Sequence, residues 1–171
     1  IHLAAVVGGR TKIEGDPLAL AADLAIDADF FKWVMRAPPK KVVYFSSSAV
    51  YPVELQKRNN HTKLTEALVD FRANRFGMPD MIYGWAKLTG EYLARTAVEK
   101  YGVDVVVYRP FSGYGEDQSL DYPFPSIVRR IVNCEDPVVV WGSGEQVRDF
   151  IHIDVVVDGV LATMNGVVPG T

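Results

Sequence analysis

A tyrosine and a lysine lie four residues apart in the stretch Tyr83-Gly-Trp-Ala-Lys87. At about 100° per residue, this spacing brings two side chains to within roughly 40° of each other on one face of a helix. A phenol with a pKa of about 10 is a poor base at neutral pH, but a nearby ammonium favours its ionised form. The pair therefore predicts a tyrosine with a lowered pKa that can accept and donate a proton.

A run of serines, Ser46 to Ser48, follows a continuous apolar stretch at 41–45. Such a β-branched and aromatic stretch is typical of a parallel strand that is covered on both faces. The helix that carries Tyr83 presents small residues on the same face, which would let it lie close to the sheet: Ala86, Gly90, Ala94 and Ala97. Open α/β sheets bind ligands at the carboxyl ends of their strands. We therefore expect a serine hydroxyl and the phenol to meet there, with the serine bonding a substrate oxygen.

The elements around these residues alternate between strands and helices, which predicts an α/β fold with a parallel sheet and helices on both faces. Strands are expected at 1–7, 41–45, 103–108, 138–141 and 147–151. Helices are expected at 18–36, 83–101 and 124–133, with a last helix that starts at Val155 after Asp154 as its N-cap. The stretch 52–82 is expected to be irregular, with one short helix near 64–74.

Composition narrows the class of protein. The 171 residues are 49% apolar and 23% charged, which is typical of a globular chain with a sizeable core. The net charge of −3 offers no attraction for nucleic acid or anionic lipid, and no apolar run is long enough for a membrane span. The single cysteine, Cys134, excludes an intrachain disulfide and predicts a reducing, cytoplasmic location. The three histidines lack ligand spacing, so no metal site is expected.

Five motifs occur in an order that resembles one known family, the extended short-chain dehydrogenase/reductases, and within it the NAD-dependent sugar-nucleotide epimerase/dehydratase branch. They are HLAA at 2–5, VVYFSSSAVYP at 42–52, YGWAKLTGEYL at 83–93, YRPFSGYG at 108–115 and WGSGEQVRDFIHID at 141–154. The resemblance implies a partial Rossmann-type doubly wound parallel sheet. It also implies NAD as cofactor, with NADP left open, and a nucleotide-diphosphate sugar as substrate.

The resemblance also implies roles for individual residues. The implied catalytic residues are Ser47, Tyr83 and Lys87. The implied cofactor-binding residues are Leu3, Ala4, Ala5, Ser46, Tyr83, Lys87, Pro110 and Phe111. The implied substrate-binding residues are Ser48, Ser112, Trp141 and Arg148, with Arg148 directed at the diphosphate. Ser112 stands where many members of the family have asparagine.

The chain is expected to be an internal fragment. No Gly-x-x-Gly-x-x-Gly turn follows a strand, although members of this family carry that turn in an N-terminal βαβ unit. Residues 1–135 are predicted to be the C-terminal part of the dinucleotide-binding Rossmann domain, including the catalytic triad. Residues 136–171 are predicted to begin the substrate-binding region and to add a returning helix, without most of the C-terminal substrate lobe. The fragment alone is expected to be inactive.

The expected reaction is epimerisation at C4 of the sugar through a 4-keto intermediate. Ser48 and Ala49 follow Ser47, where dehydratases of this family usually carry an acidic residue. An NAD(P)-dependent sugar-nucleotide reductase or dehydratase is the alternative. A non-catalytic NAD-binding sensor or scaffold is the alternative from another class.

The chain is also expected to form a homodimer. Trp85, Leu88 and Tyr92 lie within roughly 60° of one another on a helical wheel, opposite the face of Tyr83. Large apolar side chains on the outer face of a helix usually mark an interface. The alternative is that the loop at 52–82 folds over them.

Overall fold

The structure is a computed structural model that describes residues 1–8, 14–57, 62–140 and 142–166. The elements follow in the order α1 (Pro17–Leu20), α2 (Ala22–Arg36), β1 (Val42–Phe45), α3 (Met81–Tyr101), β2 (Val105–Tyr108), β3 (Ser112–Tyr114), α4 (Pro123–Val132), β4 (Phe150–His152) and α5 (Ile153–Met164). None of the helices in these ranges has the length and apolar character that a bilayer span requires.

The strands β1 and β2 pair in parallel, with Val42 opposite Val105 and Phe45 opposite Tyr108. Side chains alternate along a strand, and one face of β1 packs against both α2 and α3 through a single buried cluster. This cluster contains Phe31, Val34, Val42, Tyr44, Ala94, Ala97 and Val103. The small residues of α3 are buried as expected.

Helix α5 covers the opposite face of this sheet. The Tyr108 ring stacks on Phe45, which points away from α2 and α3 because it alternates with Tyr44. The Tyr108 hydroxyl then donates to the Gly159 carbonyl oxygen of α5 at 2.8 Å. Helices therefore lie on both faces of a parallel sheet, as the sequence predicts.

The N-terminal segment forms less strand than expected. His2 makes an isolated parallel bridge to Tyr44, and its amide donates to the Val43 carbonyl oxygen at 2.9 Å. The prediction of a strand over 1–7 is wrong beyond this bridge, because residues 3–8 make no further strand pairing among the described residues. The segment leaves the edge of β1 and passes toward α2, where the Val6 amide donates to Asp23 Oδ1 at 2.5 Å.

The predicted helix over 18–36 is divided at Ala21 into α1 and α2, and α1 begins where the Asp16 side chain accepts from the Ala19 amide at 3.1 Å. Helix α3 starts two residues earlier than predicted, at Met81, and ends at Tyr101, with Gly102 as its C-cap. Gly102 has a φ of 66°, a left-handed conformation that closes a helix at little cost for glycine. The predicted helix near 64–74 is reduced to a 3-10 turn at Glu66–Leu68.

The strands β3 and β4 form a second parallel pair, from Ser112 opposite Phe150 to Tyr114 opposite His152. The predicted strand at 138–141 is not formed over 138–140, where Val139 and Val140 are exposed without a paired strand. The predicted N-cap at Asp154 is also wrong. Helix α5 starts at Ile153, and His152 Nδ1 caps it by accepting from the Asp154 amide at 3.3 Å.

Candidate active site

Ser47 and Tyr83 meet at the carboxyl end of β1. Ser47 follows the strand in an extended conformation, with φ −158° and ψ 156°, and its Oγ accepts from the Ala49 amide at 3.1 Å. The Ser47 side chain lies near enough to the Tyr83 phenol to act on its pKa. The structure thus places two of the three predicted catalytic residues near each other at this edge of the sheet.

Gly84 allows this approach. A Cβ at this position would lie 3.0 Å from the Pro79 Cβ and closer still to the Ala49 carbonyl oxygen. The start of α3 therefore rests directly against the 3-10 turn Ser48–Val50 that follows Ser47. A larger residue at Gly84 would push α3 away from this turn and separate the phenol from the serine.

Lys87 completes the group from one turn further along α3. Its side chain is buried, with 3% exposure. The Nζ atom lies 6.0 Å from the centroid of the Tyr83 ring and 5.6 Å from that of the Tyr44 ring. At these distances the ammonium is attracted to the faces of both rings.

The electrostatics of Tyr83 differ from the sequence-based expectation. Burial raises the pKa of the Tyr83 phenol above its usual value, and the neighbouring Ser47 hydroxyl offsets this rise only in part. The negative charges of Asp23 and Asp27 raise this pKa further. The expected lowering of the Tyr83 pKa is therefore wrong for the protein alone, because burial disfavours the charged phenolate and the two carboxylates add to that effect.

The predicted cofactor residues surround the same edge of the sheet. The Ser46 amide donates to the Tyr108 carbonyl oxygen at 2.8 Å, and the Ser48 amide donates to the Pro110 carbonyl oxygen at 3.2 Å. Phe111 stacks on the Tyr51 ring with centroids 5.7 Å apart. The N-terminal residues Leu3 and Ala4 are exposed, and Ala5 is half-buried. The ends of β1 and β2 are thus held together by hydrogen bonds between their backbones.

The Ser46 hydroxyl at this edge is buried but makes no hydrogen bond within the described part of the fold. The side chain is 4% exposed, and its Oγ has no hydrogen-bond partner among the described residues. Leaving a buried hydroxyl unpaired costs about 1–3 kcal/mol. Such an atom fits a site in which a bound molecule supplies the missing partner.

The predicted substrate residues are spread more widely. Ser112 is in β3, and its amide donates to the Asp149 carbonyl oxygen at 3.2 Å. Arg148 is exposed on the segment before β4, and its guanidinium donates to the Val147 carbonyl oxygen at 3.1 Å. Trp141 lies outside the described residues.

Sequence reasoning missed a buried polar cluster beneath Tyr83. Asp27 accepts from the Tyr44 hydroxyl at 2.5 Å and lies 2.9 Å from His2 Nε2. Asp23 lies one turn before Asp27 and is equally buried. The signal in the sequence is the helical spacing, since residues 23, 27, 31 and 34 form one stripe in which two carboxylates precede Phe31 and Val34.

A second missed pair is Glu91 with Arg109. The guanidinium binds both carboxylate oxygens, with Nε to Oε1 at 2.8 Å and Nη2 to Oε2 at 2.7 Å. Arg109 also donates to the Val69 carbonyl oxygen at 3.2 Å, which attaches the loop after β1 to α3. This buried two-point ion pair therefore joins α3, the end of β2 and the loop after β1.

The described ranges contain no group of three or more His, Cys, Asp or Glu side chains arranged to hold a metal ion.

Leu88 is buried with 3% exposure against Val50, Tyr51 and Val69, so its expected place in an outer apolar patch is wrong. The loop after β1 covers it. Trp85 and Tyr92 remain exposed by 43% and 54%.

Comparison with known proteins agrees with this geometry. The chain is 30% identical over 122 residues to an uncharacterized UDP-glucose epimerase of Bacillus subtilis, a match that covers 71% of this chain and 34% of that protein. It is 26% identical over 164 residues to UDP-glucuronate 4-epimerase of Thermodesulfobacterium geofontis, covering 96% of this chain and 47% of that protein. The chain thus spans no more than about half the length of these relatives.

A solved structure has a similar fold. UDP-glucuronic acid 4-epimerase from Bacillus cereus, crystallised with UDP-glucuronic acid and NAD, superposes with a TM-score of 0.78 at 25% identity, over 96% of this chain and 48% of that one. This likeness confirms the predicted Rossmann-type α/β fold. The sequence model of the NAD dependent epimerase/dehydratase family matches residues 1–170. Because this match extends over almost every residue, the chain belongs to the NAD-dependent epimerase/dehydratase family.

Proposed function

We propose that the protein containing this chain is an NAD-dependent epimerase that inverts C4 of a nucleotide-diphosphate sugar through a 4-keto intermediate. The observation that carries the proposal is the placement of Ser47 beside Tyr83 at the end of β1, with Lys87 buried one turn further along the same helix and its Nζ 6.0 Å from the centroid of the Tyr83 ring. The relatives whose names specify UDP-sugar epimerases support the choice of substrate class.

Tyr83 moves the proton in this mechanism. As a phenolate it removes the proton from the 4-hydroxyl, and as a phenol it returns a proton to the oxygen of the 4-keto sugar. Ser47 donates a hydrogen bond to the same sugar oxygen and holds it beside the phenol. Lys87 stabilises the phenolate with its positive charge. The keto sugar rotates in the pocket between the two half-reactions, so that the hydride returns to the opposite face of C4.

The residues at the edge of the sheet fit NAD. The unpaired Ser46 hydroxyl supplies a hydrogen bond, and the exposed Leu3 and Ala4 supply apolar surface beside it. Pro110 and Phe111 follow β2 at the same edge and would flank the nicotinamide. When bound, NAD supplies a hydride acceptor that carries a positive charge in its oxidised form.

Substrate binding is assigned to Ser48, Ser112, Trp141 and Arg148. Arg148 is exposed, and a guanidinium binds a diphosphate through paired hydrogen bonds. We further assign residues 1–135 to the dinucleotide-binding domain and residues 136–171 to the start of the substrate-binding region. A homodimer through the exposed Trp85 and Tyr92 completes the proposal.

The test uses the complete protein with NAD and a UDP-sugar, followed by proton NMR of the sugar. The C4 epimer should appear until the two sugars reach equilibrium, and absorbance at 340 nm should show no accumulation of NADH. Net consumption or release of NADH would instead indicate a reductase or dehydrogenase, and loss of water from the sugar would indicate a dehydratase. Binding of NAD without any turnover of UDP-, dTDP- or GDP-sugars would favour the sensor.

A further inference from the structure

A buried ion pair joins α3 to the end of β2, and the mechanism does not use it. The side chains of Glu91 and Arg109 are 3% and 14% exposed. Such a pair adds little to stability compared with apolar side chains of similar volume, because both charges lose their hydration. Its effect is therefore expected in the arrangement of the segments that it joins.

All three nitrogens of the Arg109 guanidinium donate hydrogen bonds. Nε and Nη2 donate to the two carboxylate oxygens of Glu91 at 2.8 and 2.7 Å. Nη2 also donates to the Val69 carbonyl oxygen at 3.2 Å, and Nη1 donates to the Glu66 carbonyl oxygen at 3.3 Å. A planar guanidinium that is bonded to four acceptor atoms has little freedom to rotate. The Arg109 side chain is therefore fixed between α3 and the loop after β1.

Tyr51 carries this fixed position toward the edge of the sheet where the cofactor residues lie. Tyr51 is 1% exposed, and the Arg109 Cζ lies 5.4 Å from its ring centroid. The Tyr51 ring also stacks on Phe111, with centroids 5.7 Å apart and ring planes inclined by 22°. Between these two neighbours, the Pro110 carbonyl oxygen accepts from the Ser48 amide at 3.2 Å. Three successive residues are thus held against the segment that follows β1.

Glu91 connects these three residues to the helix that carries Tyr83. Glu91 lies one turn beyond Lys87, and Lys87 lies one turn beyond Tyr83, so their side chains follow one another along α3. Phe111 is two residues from Arg109 and shares its contact with Tyr51. A movement of Phe111 relative to α3 would therefore disturb the bonds between Arg109 and Glu91.

We propose that Arg109, held by Glu91, is a positioning residue that sets the place of the nicotinamide relative to Tyr83. The proposal rests on the proposed function, in which Pro110 and Phe111 flank the nicotinamide. Hydride and proton are exchanged with one carbon and its oxygen, so the nicotinamide and the phenol must both lie within reaction distance of the sugar. A misplacement of about 1 Å can lower such a rate by about 10²-fold.

The double variant Glu91→Leu with Arg109→Met separates positioning from stability. It removes both charges together, so no unpaired charge is left in the core, and side chains of similar volume fill the space. It also removes the hydrogen bonds to the loop and the guanidinium beside Tyr51. We expect its urea midpoint to lie close to that of the parent, while kcat falls by about 10²-fold and KM for the UDP-sugar stays within about threefold.

The place of the nicotinamide is measured without turnover from the fluorescence of NADH bound to the complete protein. The emission of the reduced nicotinamide depends on its surroundings, so in the double variant it should shift toward that of free NADH. Arg95→Met is the matched control, because it makes the same change at an exposed ion pair of α3, where Arg95 Nε lies 2.8 Å from Glu99 Oε1. This control should keep the kcat and the NADH emission of the parent.

A double variant that keeps the kcat of the parent, or that binds NADH with the emission of the parent, would overturn the proposal. If the double variant does not fold, Arg109→Lys takes its place. A lysine keeps a charge beside Glu91 but cannot also bond the Glu66 and Val69 carbonyl oxygens in the same geometry. Arg109→Lys should therefore show the same fall in kcat and the same shift in emission, and parental values would refute the proposal.

The fluorescence measurement needs no sugar. Absence of epimerase activity in the parent would refute the proposed function, while the emission of bound NADH would still decide whether Arg109 sets the place of the nicotinamide. A parent that does not bind NADH would overturn both proposals.

Discussion

Replacing Gly90 by alanine tests whether α3 packs directly against Tyr44 and Asp27 of the buried polar cluster. Gly90 faces Tyr44 and Asp27 from the middle of α3. A Cβ at this position would lie 2.6 Å from the Tyr44 Cζ and 2.7 Å from the Asp27 Oδ2, and closer still to the Tyr44 hydroxyl oxygen. Tyr44 is 0% and Asp27 1% exposed, so neither can move into solvent to make room.

The expected loss of stability follows from three contributions. Overpacking a core costs about 1–3 kcal/mol, and disturbing a hydrogen bond to a charged acceptor such as Tyr44 to Asp27 costs about 1.5–3 kcal/mol. Alanine recovers up to about 1 kcal/mol because it is a better helix former than glycine. Gly90→Ala should therefore lower the free energy of unfolding by about 2–5 kcal/mol.

The assay is chemical denaturation of the complete protein. Gly159→Ala is the matched control, because a Cβ there lies 3.7 Å from its nearest neighbour, which is an ordinary contact in the middle of α5. It should leave stability unchanged or raise it by up to about 1 kcal/mol. If Gly90→Ala and the parent have equal stability, α3 does not pack closely against Tyr44 and Asp27.

Three other substitutions test the site and its surroundings. Tyr83→Phe should lower turnover by about 10²- to 10⁴-fold while the far-UV circular dichroism spectrum stays that of the parent, since it removes the proton-transferring oxygen; turnover within about threefold of the parent would contradict that role. Arg109→Met leaves the buried Glu91 carboxylate unpaired and should cost about 3–5 kcal/mol in urea denaturation, most of which the added change Glu91→Leu should restore; a loss below about 1 kcal/mol would contradict the buried pair. Trp85→Glu combined with Tyr92→Glu should convert a dimer to a monomer in analytical ultracentrifugation, and a parent that already sediments as a monomer at micromolar concentration would exclude the interface.

The catalytic group could be predicted from the sequence because its geometry is local. Tyr83 and Lys87 are placed by helix periodicity alone, and Ser47 is placed by the end of a buried strand. The contact between them needs only that α3 lies close to the sheet, which the small residues of its inner face already indicate. In the structure, Lys87 Nζ lies 6.0 Å from the centroid of the Tyr83 ring and Ser47 follows β1 near the start of α3, while the roles of these residues stay a prediction.

The buried cluster could not be predicted in the same way because its contacts join distant segments. His2 is 25 residues from Asp27 along the chain, and Tyr44 is 17 residues from it. Aspartates at helical spacing are usually solvated, so only the apolar Phe31 and Val34 in the same stripe indicate that this face is buried. Burial of Tyr83, and to a smaller extent the negative charges of Asp23 and Asp27, explain why its pKa is raised when the Tyr83–Lys87 spacing alone predicts a lowered value.

The misplaced strands have a related cause. An apolar run such as Val138–Val140 satisfies the sequence pattern of a buried strand, but a strand also requires a partner that accepts and donates its backbone hydrogen bonds. Neither this run nor residues 3–8 pairs with a strand in the described part of the chain. Whether an apolar segment becomes a buried strand depends on the strands and helices next to it, and the sequence of that segment alone does not show them.

The most direct measurement uses a nucleotide-diphosphate sugar that carries deuterium at C4, incubated with the complete protein and NAD in ordinary water. A 4-keto mechanism with Tyr83 as the proton carrier predicts a C4 epimer that retains the deuterium at C4, together with a slowed turnover. Retention follows because the hydrogen at C4 leaves and returns as hydride and never becomes a proton that exchanges with water. Loss of the label to water, its accumulation in free NADH, or an epimer that forms equally fast with Tyr83→Phe would contradict the mechanism.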